Sequence, residues 1–294
     1  MERRQLEFFL AIAEAGSFTR AAQALHVAQP SLSHSMRTLE TELGSPLFER
    51  HGRGVRLTAA GEALLAPARR AVRSFGLAAS AVRGVADGGS GTLRLVSSTS
   101  WAVHPLVGLI GEFRRQRPQV RFEVTDPAAR AVVLDQVRTG QVDFGLVDGA
   151  PPSGSLASLE LAEQQLLAVL PPGQDPGLST TIERLARHGL IGTPRGTALR
   201  GLLDGCLEAA GRATEVMVET AHAASVVPLV VSGAGATVLP EGMAVDAATK
   251  GARVARLEPG IRATVSLVWR TGGPHGLAAD FLELVREHHA GRVG

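Results

Sequence analysis

A chain of 294 residues with 45% hydrophobic and 20% charged residues is too long for one ordinary domain and too apolar for a disordered one. Its net charge of +2 is carried by arginine, with Lys250 the lone lysine, and is uneven: residues 1–90 hold 11 arginines against 8 acids, the rest 19 basic against 20 acidic residues. The single cysteine, Cys206, excludes an intrachain disulfide, and no uncharged run approaches the ~18 residues of a membrane span, so a cytoplasmic protein with no membrane partner is expected.

Residues 1–57 read as three helices and a hairpin. Leu6, Phe9, Leu10 and Ala13 recur at helical spacing up to Gly16. Ser17 is a natural N-cap for a short second helix carrying Ala21, Ala22 and Leu25 inward. After a tight connection at Val27, Ala28 and Gln29, Pro30 suits the first turn of a third helix, with Leu32, Met36, Leu39 and Leu43 as its buried stripe and Gly44 as its stop. The opposite face, Ser33, His34, Arg37, Thr38 and Thr41, is polar. Leu47 to Leu57 then reads as two short strands about the turn His51-Gly52-Arg53-Gly54, a wing.

Thr58 to Ala86 reads as one helix. Leu65, Ala68, Val72, Phe75, Ala79 and Val82 alternate spacings of three and four, a heptad seam that asks for a partner helix. About 43 Å of helix, at roughly 1.5 Å per residue, exceeds what a small winged module covers. Pro67 is expected to bend this helix or mark its effective start. Asp87 to Gly91 reads as a flexible linker.

Beyond it strands and helices alternate as in parallel sheets with covering helices. Strands are expected at Leu93–Ser97, Val120–Thr125, Phe144–Val147, Leu166–Leu170, Leu190–Gly192, Thr214–Val218, Thr237–Leu239 and Thr264–Trp269. Helices are expected at Ala102–Arg117, Ala128–Thr139, near Ile182, Leu202 and Val227, and at Leu277–His288. The fold class is thus a mostly helical winged helix-turn-helix, a linker helix, and an α/β two-lobed domain. The domain bounds are 1–57 for DNA binding, 58–90 for the linker helix and hinge, and 91–294 for the lobes. Lobe I takes about 91–162 and 264–294, lobe II about 163–263. Open α/β sheets bind ligands beyond the carboxyl ends of their strands, which aims both lobes into one cleft.

A short Ala-Ala helix, a three-residue turn and a third helix with a polar face form a helix-turn-helix, whose second helix enters the major groove. Gln29, Pro30, Ser31, Ser33, His34 and Arg37 are therefore candidate groove contacts. Arg50, Arg53 and Arg56 on the wing, with Thr19 and Thr58 at helix starts, are phosphate candidates.

The stretch SFTRAAQALHVAQPSLSHSMRTLETELGSPLFERHGRGVRLTAAG, Ser17 to Gly61, resembles the signature of the LysR-type transcriptional regulators at nearly every position. Fainter likeness continues through PLVGLIGEFRRQRPQVRFEV, GQVDFGLVDG and VSGAGATVLPEG. The resemblance implies a periplasmic-binding-protein-like sensor domain, a homodimer through the linker helix, commonly a tetramer, and effector-modulated transcription at a pseudo-palindromic operator. RNA polymerase is a further partner if the protein activates. Family ligand positions fall on Thr99, Ser100 and Trp101, on Asp126 and Ala128, on Thr193, Arg195 and Thr197, and on His222. Hydroxyls and helix-start amides there suit a carboxylate or similar anion. Ala28 stands where the family usually has Ser or Thr, and His34 where Arg is frequent, which changes the operator sequence expected.

Other readings carry less. Gly233-Ala-Gly235 lacks the third glycine of a dinucleotide fingerprint and reads as a close turn. Cys206, alone, cannot form a two-cysteine switch and reads as a core residue. The nine histidines show no metal-ligand spacing, so no metal and no cofactor beyond the effector is expected. No Ser-His-Asp or paired-carboxylate constellation marks an enzyme. The alternative function is a small-molecule binding protein with a vestigial DNA module.

Overall fold

The computed structural model describes residues 1–51, 54–86, 91–127, 129–152, 154–175, 177–212 and 216–293, with the backbone course alone for 50, 73, 77, 79–86 and 291–293. It divides into two compact units, one built on residues 1–90 and the other on 91–138 and 142–294.

In the first unit α1 (Arg3–Ala15), α2 (Phe18–Ala24) and α3 (Gln29–Leu43) enclose Phe9, Ile12, Leu32, Met36 and Leu39, all buried. α1 and α3 stop where Gly16 and Gly44 turn left-handed, at φ 60° and 68°, a conformation that costs residues with a Cβ. Ser17 caps α2, its hydroxyl accepting from Arg20 N at 3.4 Å. Two expected core positions are instead exposed. Leu25 has left the helical phase as the C-cap of α2, and Leu43 lies on the last turn of α3, where the stripe runs past the buried cluster.

The wing is β1 (Phe48–His51) paired antiparallel with β2 (Gly54–Leu57). Glu40 clamps it to α3, its Oε1 accepting from Leu47 N at 2.8 Å and Phe48 N at 3.3 Å. Val55 N donates to Gly16 O at 3.0 Å, and the Phe48 ring lies 5.4 Å from that of Phe9. The wing is therefore fixed to α3 by polar contacts and to α1 and its C-cap by an aromatic contact and a backbone bond.

α4 (Ala59–Ala86) follows and runs unbroken through Pro67, which neither starts nor interrupts it. Its first half packs on its own unit: Ala68 is 1% exposed, and Leu65 and Val72 lie against the same core. The proximal part of the expected seam thus packs within its own unit, with Leu65 and Val72 left half-buried. A helical apolar stripe does not say which neighbour fills it, and here α1 and the rest of the three-helix core take Leu65, Ala68 and Val72. Phe75, 50% exposed, is the first seam residue facing solvent, while the side chains of Ala79 and Val82 lie outside the described residues. At the start of α4 a Cβ on Gly61 would stand 2.3 Å from Leu47 O. Gly61→Ala is expected to push α4 away from the wing at a cost of about 1–3 kcal/mol. A circular-dichroism melt of the full chain should show the first transition several degrees lower, and an unchanged melt would contradict the close packing.

The second unit contains, in order, β3 (Gly91–Ser97), the short α5 (Thr99–Trp101), a wide turn at Ala102–Leu106, α6 (Val107–Gln116), β4 (Val120–Thr125), α7 (Arg130–Arg138) and β5 (Phe144–Asp148). There follow β6 (Leu156–Leu170), β7 (Ser179–Thr180), α8 (Ile182–Ala186), β8 (Ile191–Gly192), α9 (Ala198–Ala209), β9 (Val218–Glu219), α10 (Val226–Val231), β10 (Thr237–Pro240), α11 (Glu241–Thr249), β11 (Arg253–Leu257), β12 (Arg262–Arg270) and α12 (Leu277–Val293). β3 lies between β4 and β5, parallel to both, the parallel part anticipated from the sequence.

The connection between lobes is antiparallel rather than parallel. β6, 15 residues long against the five expected, pairs along most of its length with β12 and then, at its far end, with β10 and β11. One strand thereby joins the two groups of strands into a single eight-stranded sheet. α11 and β11 were not anticipated, and the strand expected at Thr214–Val218 is seen as Val218–Glu219, with residues 213–215 outside the described set. Gly235 occupies a close turn: a Cβ there would lie 2.4 Å from Gly189 O.

Candidate functional site

On the first unit, α3 presents Gln29, Pro30, Ser31, His34 and Arg37 to solvent, with Ser33 half-buried beside them. Gln29 Nε2 donates to Ser33 Oγ at 2.8 Å, so these two side chains orient one another across a single turn. A groove of about 480 Å³ separates this face from the wing and is lined in part by Gln29, Ser33, Arg37, Glu49 and Val55. Thr19, in the first turn of α2, and Arg56, on β2, are both exposed.

Thr58 is different. Its hydroxyl donates to Pro46 O at 2.6 Å and accepts from Gly61 N at 3.1 Å, so it caps α4 and ties the wing root instead of pointing at a phosphate. Arg53, and the side chain of Arg50, lie outside the described residues.

On the second unit, a cavity of about 330 Å³ opens where strands end. Ser98 follows β3, Asp126 follows β4, Thr193 follows β8 and Ala221 follows β9, which is where open α/β sheets leave room for ligands. Thr99, Ser100, Asp126, Thr193, Thr197 and His222 line it as expected. A bridge between Ala129 and Thr197 ties its two walls together. Asp126 Oδ2 accepts from Thr99 N at 2.9 Å and Thr99 Oγ1 at 2.6 Å. The amide at that helix start, expected to meet a ligand anion, is thus bonded to the protein's own carboxylate. On the other wall the Thr193 and Thr197 hydroxyls share a bond of 2.6 Å, and Thr197 caps α9 by accepting from Arg200 N.

Two expected ligand residues are elsewhere. Trp101 is fully buried in the core of the unit. Three consecutive residues of a helical turn point about 100° apart, so Thr99 and Ser100 facing the cavity sends Trp101 behind it. Arg195 is exposed on the loop before α9 and does not line the cavity. Ala128 lies outside the described residues. Sequence reasoning missed Ser98, one residue before the expected set, and the small apolar wall of Leu199, Ala221, Ala223 and Ala224. Ser98 was legible as the residue that directly follows β3; the alanines carry no local signal.

Cys206 sits at 1% exposure on the inner face of α9, and burial pushes its thiol up to about 11. A raised value favours the neutral thiol at every pH below it, so the nucleophilic thiolate is scarce. At pH 8 Cys206 is expected to react with a disulfide reagent at least ~10-fold more slowly in the native chain than in denaturant; equal rates would place the thiol at the surface.

A winged helix-turn-helix with an exposed polar third helix, joined to an α/β unit whose strand ends surround a polar cavity, defines a DNA-binding regulator with a small-molecule sensor. Comparisons with known proteins agree. Residues 3–62 match the family model for the bacterial regulatory helix-turn-helix protein, lysR family, and residues 86–290 that for the LysR substrate binding domain. The chain is 30% identical to the HTH-type transcriptional regulator IlvR of Caulobacter vibrioides, over 98% of both chains. Its structure is similar to full-length CbnR complexed with its target DNA, at TM-score 0.71 and 26% identity over 98% of this chain and 100% of that one. A full-length OxyR from Pseudomonas aeruginosa is similar at TM-score 0.72 and 26% identity, covering 98% and 94%. The chain belongs to the LysR family: it is a DNA-binding transcription regulator with an effector-binding domain, and not an enzyme. No helix among its described residues is long and apolar enough to cross a membrane.

Proposed function

We propose that the protein acts in the cytoplasm as a homodimer, or a tetramer built from two dimers, that reads an operator through α3 and changes its occupancy or its contact with RNA polymerase when a small polar molecule enters the strand-end cavity. The exposed row Gln29, Ser31, His34 and Arg37 on α3, flanked by a wing clamped through Glu40, carries this reading. These side chains reach base edges in a major groove, while Thr19 and Arg56 serve the flanking phosphates, Arg56 together with its wing neighbours Arg50 and Arg53. The distal half of α4, from Phe75 onward, supplies the dimer seam. The division into a DNA module at 1–57, a linker helix with its hinge at 58–90 and effector lobes at 91–294 follows from the same reading.

The test is affinity for the DNA upstream of the protein's own gene against random DNA of equal length. Specific binding should be tighter by about three orders of magnitude or more, and should weaken linearly in log-log form with salt. Equal affinity for both would remove the regulator reading.

A further inference from the structure

We infer that a second copy of the chain docks on the second unit by seating its Leu178 in the apolar pocket between α8 and the end of α9, with its Asp175 against Arg187, and that the exchange is mutual. This rests on the proposed assembly of two dimers into a tetramer and names the contact that joins them.

The knob is the first observation. Leu178 is 93% exposed, more than any other large apolar residue among those described. A lone exposed leucine is ordinary, but this one is held outward. Gly177 before it is left-handed at φ 68°, and its N donates to Asp175 Oδ1 at 3.0 Å. Leu178 O in turn accepts from Arg256 N at 3.2 Å, which anchors the backbone to β11. The side chain is thus presented to solvent from a fixed turn, with the carboxylate of Asp175 three positions away.

The hole is the second observation. A pocket of about 320 Å³ opens beside α8. Ile182, Leu190 and Leu207, all buried, line it, and Met217, 69% exposed, stands at its lip. An aliphatic side chain entering here leaves water against three core residues, and the flexible thioether of Met217 adapts the edge to it.

Charge selects the occupant. The lining carries Arg187 and Arg212 against a single carboxylate, Glu183. Arg212 acts on the charge of Glu183, whereas the Arg187 guanidinium has neither an ion pair nor a hydrogen bond among the described residues. Arg184 and His188, exposed on α8 and just after it, add to the positive side. The pocket therefore asks for an apolar residue accompanied by a carboxylate, and Leu178 with Asp175 is such a pair.

Both halves belong to one patch. Leu178 and Ile182 are four residues apart, a separation the chain cannot stretch beyond about 14 Å. A patch that carries its own complement closes about a two-fold axis, each copy filling the other. One leucine and one exposed ion pair per copy fall well short of the roughly 800 Å² a side of a standard interface, so the patch does not hold single chains together. A dimer paired through α4 carries it twice, and the resulting effective concentration makes up the difference.

The test follows the mass of the full chain by sedimentation across the micromolar range. The native chain should pass from dimer to tetramer. Leu178→Asp should weaken that step by at least about 100-fold and leave the dimer, while Leu178→Met, still apolar, should stay within about threefold. Arg187→Glu should weaken it about tenfold, and adding Asp175→Arg should recover at least about threefold. All three positions are exposed, so the melting temperatures should hold. A tetramer of native strength in Leu178→Asp, an Arg187→Glu chain that Asp175→Arg does not rescue, or a native chain that stops at the dimer would each overturn the contact and leave the α4 dimer standing. Single chains at every concentration would overturn both. A thermal shift with octanoate that vanishes in Arg187→Glu, while Leu178→Asp assembles as the native chain does, would give the pocket to a free amphipathic acid instead.

Discussion

Phe75→Glu is expected to split the dimer while leaving each chain folded. Phe75 is 50% exposed in the single chain, so a polar replacement there costs the monomer little beyond a cation-π contact with Arg3, whose guanidinium lies 5.9 Å from the ring. In a seam between two α4 helices the same position is enclosed. Removing a buried phenylalanine costs about 3–5 kcal/mol per copy, and a buried unpaired carboxylate adds to it, so the dimer dissociation constant should rise by at least about a thousandfold. Sedimentation at micromolar concentration should give the single-chain mass of 30.6 kDa, with an unaltered far-ultraviolet spectrum. Persistence of the dimer would place the interface elsewhere. Pairing the change with Val82→Glu extends the test along the helix.

Arg37→Ala should lower operator affinity by about 10- to 100-fold without changing the oligomeric state. Arg37 is exposed at the centre of α3, on the groove between that helix and the wing. A bidentate arginine contact to guanine carries about 1–3 kcal/mol of discrimination, whereas a phosphate contact weakens all sequences alike and reduces the salt slope by about one. Titration against operator and random DNA at several salt concentrations distinguishes these roles, and an unchanged affinity for both removes Arg37 from the interface.

Local signals were read best where they are local. The ends of α1 and α3 at Gly16 and Gly44, the Ser17 cap and the stripe Leu32, Met36, Leu39 depend on neighbours within one or two turns, and the structure has them as expected. β6 was read too short because Leu156 to Gln165 is held by β12, about a hundred residues away, and its mixed polar pattern suits a strand exposed on one side. Ala68 shows the limit of periodicity: a core helix and a dimer helix carry the same stripe, and tertiary packing alone decides between them. At the cavity, hydroxyls at strand ends were visible as types, while the inward turn of Trp101, the bond from Thr99 to Asp126 and the unsatisfied Ser98 are three-dimensional facts.

Two copies of α3 are expected to enter successive major grooves of one duplex. A cleavage reagent tethered at His34→Cys reports it directly, because His34 is exposed on α3 and Cys206 is buried with its thiol held neutral. Two cutting centres are expected on the operator, symmetric about its midpoint and separated by about 10 base pairs or a multiple of that. A single centre, or diffuse cutting along the whole duplex, would contradict it.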